Sequence, residues 1–209
     1  MRARILRHRF LLLSCGIFIA GLLAGFWGYV EARHRLLSDL THDAERAAAA
    51  IDATETAQLT ATDADLLNPN YAAIKARLTR YRSVDLRVRF IYVFRVVPDT
   101  KQVIFLADSE PADSVDISLP GDEYPEAANS PGLQAILTNG MPATEGPIDD
   151  AFGTWVTSYA LVARDATGQV REILGVDIAA KGWWWEIWSA AAKAAISVWL
   201  LGGLTLAGY

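Results

Sequence analysis

Residues 10–30, FLLLSCGIFIAGLLAGFWGYV, run for 21 positions without a charge. A helix rises 1.5 Å per residue, so this stretch is long enough to cross a hydrocarbon core about 30 Å thick. Arg2, Arg4, Arg7 and Arg9 precede it, and no acid occurs before Glu31. Basic flanks stay on the cytoplasmic side, which places residues 1–9 inside and the chain after 30 outside. Trp27 and Tyr29 then fall at the outer interface, where amphipathic rings settle. A cleaved signal peptide would carry an apolar region of about 7–15 residues and a small-residue cleavage site. This run is longer and leaves through Trp and Tyr, so 10–30 reads as an uncleaved transmembrane anchor.

The far end repeats the theme. Trp183, Trp184, Trp185 and Trp188 cluster ahead of Lys193, and sixteen uncharged residues follow, to Tyr209. A row of tryptophans suits the water–lipid boundary, with the ring buried and the N–H wet. Residues 183–209 therefore read as a second transmembrane helix, running outside to inside and cut short. On that reading the chain is the front part of a longer protein.

Between the two lies a different kind of sequence. All 24 acids but only 14 of the 19 Lys and Arg fall between positions 31 and 190. An acidic middle argues against a nucleic-acid partner, which would select a basic stripe. Cys15 is the sole cysteine, so no intrachain disulfide and no Cys-based zinc cluster can form. His8, His34 and His42 all stand near the N-terminus, away from any pocket in the middle. The chain carries no Gly-x-Ser-x-Gly elbow, no phosphate-cradling Gly-rich loop and no His-Glu-x-x-His. The acids Asp122–Glu123 and Asp149–Asp150 do not match a spaced calcium loop. No enzyme, metal or cofactor is expected within these residues.

Residues 33–60 are Ala-rich without Gly or Pro and predict a long helix. Leu37, Leu40, Ala44, Ala47 and Ile51 follow 3-4-3-4 spacing. That stripe fits a face packed on its own domain or a dimer seam continuing from the anchor. Pro69 breaks the helix, and a second follows with Tyr71, Ile74, Leu78 and Tyr81 on one face. The period then changes to two. Leu86, Val88, Phe90, Tyr92, Phe94 and Val96 alternate with Arg87, Arg89, Ile91, Val93, Arg95 and Val97, which predicts a strand. Pro98, Asp99 and Thr100 turn it, and 102–108 form its hairpin partner. Positions 109–130 are rich in Pro, Asp, Ser and Gly and read as a long loop, followed by a short helix over 131–137 closed by Asn139-Gly140. A turn-rich stretch at 146–150 leads to a second hairpin, 154–162 and 170–177. Helices, hairpin, loop and hairpin make an α+β domain with an antiparallel sheet.

A membrane helix, a long juxtamembrane helix and a PAS-like sheet returning to a second membrane helix resemble the extracytoplasmic sensor domains of bacteria, of the Cache or PDC type. FIYVFRVVPDTKQVIFLAD, LPGDEY and GPIDDAFGTWVTSYALVARDATGQVREILGVDIAA carry the resemblance, which covers roughly residues 33–182. It implies a PAS-like antiparallel sheet with a long N-terminal helix, flanked by two transmembrane helices. It also implies the bacterial inner membrane, with 31–182 on the periplasmic side as the sensor domain. The expected role is the input region of a sensor histidine kinase, with a diguanylate cyclase or chemoreceptor as alternatives. A membrane-anchored adaptor or envelope protein without signalling output is the reading from another class. The expected partners are a small-molecule ligand, carboxylate or amine, the lipid bilayer and a second copy in a homodimer. Leu161 stands where the family usually has Pro, and the contiguous Arg-Trp-Tyr set of amino-acid binders is absent, so ligand class does not carry over.

The resemblance puts the acid of Gly175-Val176-Asp177 toward the ligand pocket. From the residues alone, an acid closing an apolar strand must be solvated, paired or hydrogen-bonded. Arg89 and Arg95 either clamp a ligand carboxylate or form a solvated strand face. Tyr92, Trp155, Ser158 and Tyr159 suit the wall of a small-molecule pocket, although the aromatic ones would also serve as core. Asp108 and Tyr124 flank the long loop, which reads as a lid.

Overall fold

The computed structural model describes residues 2–98, 100–150 and 153–207. The chain divides into two compact units, Met1–Leu36 with Trp183–Tyr209, and Leu37–Gly182.

In the first unit the helix α1 runs unbroken from Arg2 to Ala49, continuing past the unit's limit. The anchor and the juxtamembrane helix expected from sequence are thus one element. Its partner is α5, Ala180–Ala207. Both are long and apolar enough to cross a membrane, and their most apolar windows are only 6% buried. A soluble core helix of that hydropathy would be covered. Here Leu12, Leu23, Phe26, Leu201 and Leu204 face outward, as on a surface made for lipid. The two arms meet through small residues. A Cβ on Gly25 would lie 3.2 Å from that of Ala195, and one on Gly28 3.0 Å from that of Ala194. Glycine lets membrane helices approach closely. A side chain on Gly21 would collide with the Trp199 indole. That indole stacks on Phe18 and donates Nε1–H to the Phe18 carbonyl at 3.2 Å.

The second unit is a five-stranded antiparallel sheet with helices on one side and a loop and short helix on the other. Its strands are β1 (Val88–Val96), β2 (Val103–Asp108), β3 (Ala143–Asp150), β4 (Gly153–Arg164) and β5 (Val170–Ala179), in the order β2-β1-β5-β4-β3. Ile91, Val93, Val156, Leu174 and Val176 fill the face covered by α3 (Pro69–Val84) and by α1 from residue 37. Asn68 caps α3 by accepting from the Asn70 N–H at 2.9 Å, and Pro69 sits at its first turn, where no donor is needed. Phe90, Tyr92, Phe94, Phe105, Tyr159 and Ile173 form the other face, under Leu133 and Ile136 of α4 (Pro131–Asn139). α4 is capped by Ser130 and ends at Gly140, whose φ of 69° suits a residue without Cβ.

Two elements differ from the sequence reading. The helix expected over 33–60 stops at Ala49, and a four-residue helix α2 (Ala53–Thr56) restarts at Asp52, whose carboxylate accepts from the Thr54 N–H at 2.8 Å. Asp and Thr compete for backbone groups and so close one helix and cap the next, without any Gly or Pro. The stretch 146–150, expected as turn, belongs to strand β3. Pro147 is tolerated there because β3 is an edge strand whose register slips between Glu145 and Ile148. Asp99 of the expected Pro98–Thr100 turn lies outside the described residues, as do Ala151 and Phe152 of the resembling stretch.

Candidate ligand-binding site

The site is built on the aromatic face by two departures from plain sheet geometry. The first is a bulge. Val93 faces Ala107 while the next residue, Phe94, faces Phe105, so Leu106 is the extra residue of β2. A bulge resets the alternation, and Phe105 and Asp108, an odd number apart, both turn to the aromatic face. The second is Gly175. It pairs with Tyr92 across the β1–β5 ladder, and a Cβ there would collide with the Tyr92 ring. The ring lies flat over the glycine, and its hydroxyl donates to Asp177 Oδ1 at 3.1 Å. Gly175 and Asp177 thus form one device, the first admitting the ring and the second accepting its proton.

The 109–130 loop closes over this face. The Ser118 N–H donates to Asp108 Oδ2 at 2.8 Å and the Glu110 N–H to Asp108 Oδ1 at 3.2 Å. Lys75 of α3 pairs with the same carboxylate at 3.0 Å. Tyr124 stacks on Phe94 with centroids 5.1 Å apart. What remains is a cavity of about 20 Å³ lined by Phe90, Tyr92, Phe105, Asp108, Asp116, Ser118, Tyr124 and Asp177. That volume holds about one water. On the other side of Tyr124 lies a space of about 120 Å³, bordered by Glu145, Trp155, Thr157 and Tyr159. Burial, reinforced by the Asp177 charge, pushes the Tyr92 hydroxyl well above its usual range. Tyr159 is raised by burial and by the charges of Asp177 and Glu145. Both phenols therefore remain proton donors.

Of the residues expected from sequence, Tyr92, Asp108, Tyr124 and Asp177 come together around the smaller cavity. Trp155 and Tyr159 border the larger one, and Trp155 meets Phe90 edge-on at 5.2 Å. Arg89 stands at the rim, 4.0 Å above the Phe90 ring, and pairs with Asp116 of the lining at 2.7 Å. Arg95 and Ser158 lie on the helix-covered side, because alternation turns them there. Arg95 donates to the carbonyls of Leu59 and Thr56, each at 2.6 Å, and pairs with the fully buried Glu172 at 2.6 Å. Ser158 accepts from Thr144 at 2.8 Å, and Thr144 meets Thr41 of α1 at 2.7 Å. The sequence reading missed Phe90, Phe105, Asp116 and Ser118 as lining. The phenylalanines were visible in the alternation, whereas Asp116 and Ser118 sit in a loop with no period to read.

No protein-family model matches the chain, and no curated protein matches it in sequence. Solved structures do match in shape. The ligand-binding domain of the Campylobacter jejuni chemoreceptor Tlp3 in complex with 4-methylisoleucine aligns with a TM-score of 0.54 at 15% identity, over 82% of this chain and 62% of that one. The same domain with L-norvaline gives 0.53 at 15%, over 84% and 63%. An extracellular ligand binding receptor from Desulfohalobium retbaense gives 0.53 at 12%, over 80% and 27%. The fold is shared with these ligand-binding domains. The chain spans less than two thirds of each of these structures. That shared fold, with its five-stranded antiparallel sheet, agrees with the α+β, PAS-like sheet expected from the resemblance.

Proposed function

We propose that the protein is a membrane-anchored sensory input module that binds a small ligand between the sheet and the 109–130 loop. The observation that best supports this is convergence: Tyr92, Asp108, Tyr124 and Asp177, far apart in sequence, meet around one cavity in a sensory-domain fold. In this reading residues 10–30 and 183–209 cross the inner membrane, 1–9 lie inside and 31–182 outside. β5 carries Asp177 and passes at Ala180 directly into α5, so displacement of that strand is delivered along continuous backbone. A ligand shifts two signalling states only by its differential affinity for them. Helix shifts of about 1–2 Å are the usual size of such a response.

The lining offers carboxylates beside aromatic rings, a setting for an ammonium group. Amino acids are the class to try first, since similar domains are complexes with 4-methylisoleucine and L-norvaline. The output we assign is a histidine kinase working as a homodimer; the likeness to a chemoreceptor domain favours a chemoreceptor as the second reading. The full chain in lipid nanodiscs should be screened by thermal shift against amino acids, amines and carboxylates. At least one should raise the melting temperature by a few degrees, as ligand well above its Kd does. A flat screen would count against the reading. A reporter active only in the cytoplasm, fused after residue 100, should stay silent, and a strong signal would reverse the topology.

A further inference from the structure

At the end of β5 opposite Asp177, the β1–β2 turn, the β4–β5 turn and the last turn of α4 enclose another cavity, of about 420 Å³. It shares no lining residue with the cavity beneath the 109–130 loop. Its volume falls in the range of small-molecule pockets, about 300–1,000 Å³. Val96, Leu137 and Val170, at the edge of the aromatic core, give it an apolar floor. Lys101 and Arg164 line it as well, and among the described residues no carboxylate does. In so acidic a domain that balance is unusual. Most Lys and Arg of the second unit are paired with acids, and among the described residues only Arg80, Lys101, Arg164 and Lys181 form no ion pair. Arg80 lines a groove that also holds Asp43 and Asp85, so that cation stands among acids. Lys101 and Arg164 share a cavity without any.

Each of the two has a structural task. Arg164 donates from Nη1 to the Gly168 carbonyl at 2.9 Å. A side chain on Gly140 would collide with its guanidinium, so Arg164 also faces the negative end of α4. Lys101 donates to the Gln169 side chain at 3.0 Å, which ties the two turns together. These bonds use one of three ammonium and one of five guanidinium donors, and neither acceptor carries a charge. Lys101 also adopts a φ of 59°, a region that favours Gly or Asn in a turn. A lysine held in that conformation points to a use for its side chain. Asp165 of the β4–β5 turn is occupied elsewhere, its Oδ1 accepting from the Thr167 N–H and hydroxyl and from the Gln169 N–H.

We propose that this cavity is a second binding site, for a small dianion of the phosphate-monoester class whose body lies on the floor of Val96, Leu137 and Val170. Arg164 offers phosphate a planar fork of donors, and Lys101 adds a point charge. Together they match a phosphate monoester, which carries about −1.5 to −2 charges at pH 7. A single carboxylate leaves one of the two cations unbalanced. The apolar floor concentrates their field in the cleft. The bound anion bridges the β1–β2 and β4–β5 turns, as the Lys101–Gln169 contact already does. The site stands apart from the sensory reading, since it needs no ligand beneath the 109–130 loop.

Phenyl phosphate, inorganic phosphate and benzyl alcohol test this, each titrated at neutral pH and constant ionic strength into the full chain in nanodiscs of zwitterionic lipid. Methyl NMR of Val and Leu reads the floor directly. Phenyl phosphate should shift the Val96, Leu137 and Val170 methyls to saturation, inorganic phosphate should do so more weakly, and benzyl alcohol should not saturate. Lys101→Asn suits the positive φ and keeps the turn, so Tm should hold while phenyl phosphate weakens about tenfold, the loss of one charged hydrogen bond. Arg164→Gln should weaken it at least as much. Floor methyls that do not respond to phenyl phosphate, or that respond equally to benzyl alcohol, would overturn the proposal. Unchanged phenyl phosphate affinity in Lys101→Asn would overturn it too, whatever Arg164→Gln does to α4. Failure here leaves the sensory reading intact, and a flat thermal screen of amino acids, amines and carboxylates leaves this site intact.

Discussion

Arg89 and Arg95 have the same parity in the sequence of β1, but the register of β1 against β5 shifts between Val88 and Phe90, and the fold uses the two arginines in opposite ways. Arg95 is sealed beneath the helices, its side chain 16% exposed and its partner Glu172 not exposed at all. It satisfies two carbonyls as well as that acid, which ties α2 and the segment after it to the sheet. Arg89 opens toward a loop and pairs with two of its carboxylates, the buried Glu110 and Asp116, the second shared with solvent. The same division runs across the sheet. Ile91, Val93, Leu174 and Val176 are fully buried aliphatics on the helix side, and the loop side has rings, carboxylates and unfilled space. A close-packed face resists displacement, and a face with voids and exchangeable polar partners yields to a ligand. In the proposed reading, stability is concentrated on one side of the sheet and recognition on the other.

The sharpest way to break this contrast is Glu172→Ala. It strips a buried acid from Arg95, from the Thr56 hydroxyl and from Arg171, so it should cost about 3–5 kcal/mol in chemical denaturation of the full chain in micelles. A loss no greater than that of an Arg89 variant would erase the distinction. Next in size, Asp177→Asn should weaken a ligand found in the screen at least tenfold, about 1.5–3 kcal/mol for a charged hydrogen bond, with little change in stability. Calorimetric titration reads this, and an unchanged affinity would remove Asp177 from the site. Acid sharpens the picture further. The folded Glu110 carboxyl titrates below its ordinary 4.5, so its stabilising effect is complete above that pH and fades as pH falls through the lowered value. Arg89→Gln should move the Glu110 titration upward, visible by carboxyl NMR, so that acid loosening of the loop begins at higher pH. The smallest effect is the stability change of Asp116→Asn, about 0–1 kcal/mol, because it removes only the partly exposed pair with Arg89.

Much of this fold could be read from the sequence, because it follows from period and charge. The uncharged run before Glu31 marked one membrane arm, and the period-two runs marked β1, β2, β4 and β5. β3 escaped notice because Gly146, Pro147 and two acids spell a turn, and only an edge position with a slipped register lets them sit in a sheet. The helix end at Ala49 carried no Gly or Pro to announce it. Asp177, Tyr92, Asp108 and Tyr124 were legible as candidates, but their meeting depends on the Leu106 bulge and on Gly175, which are facts of pairing rather than of pattern. Asp116 gave no signal at all. Nothing local separates Arg89 from Arg95 either, since the partners that distinguish them are 77 residues away for Glu172 and 27 away for Asp116.

The most direct measurement is a hydrogen-exchange footprint of the full chain in nanodiscs, with and without a ligand found by the thermal screen. Amides of the 109–124 loop should change on binding, while those of 53–60, tied beneath the sheet by Arg95, keep their protection. A footprint confined to 53–60 and α3, with the loop unaltered, would place recognition on the wrong side of the sheet and contradict the division between the two faces.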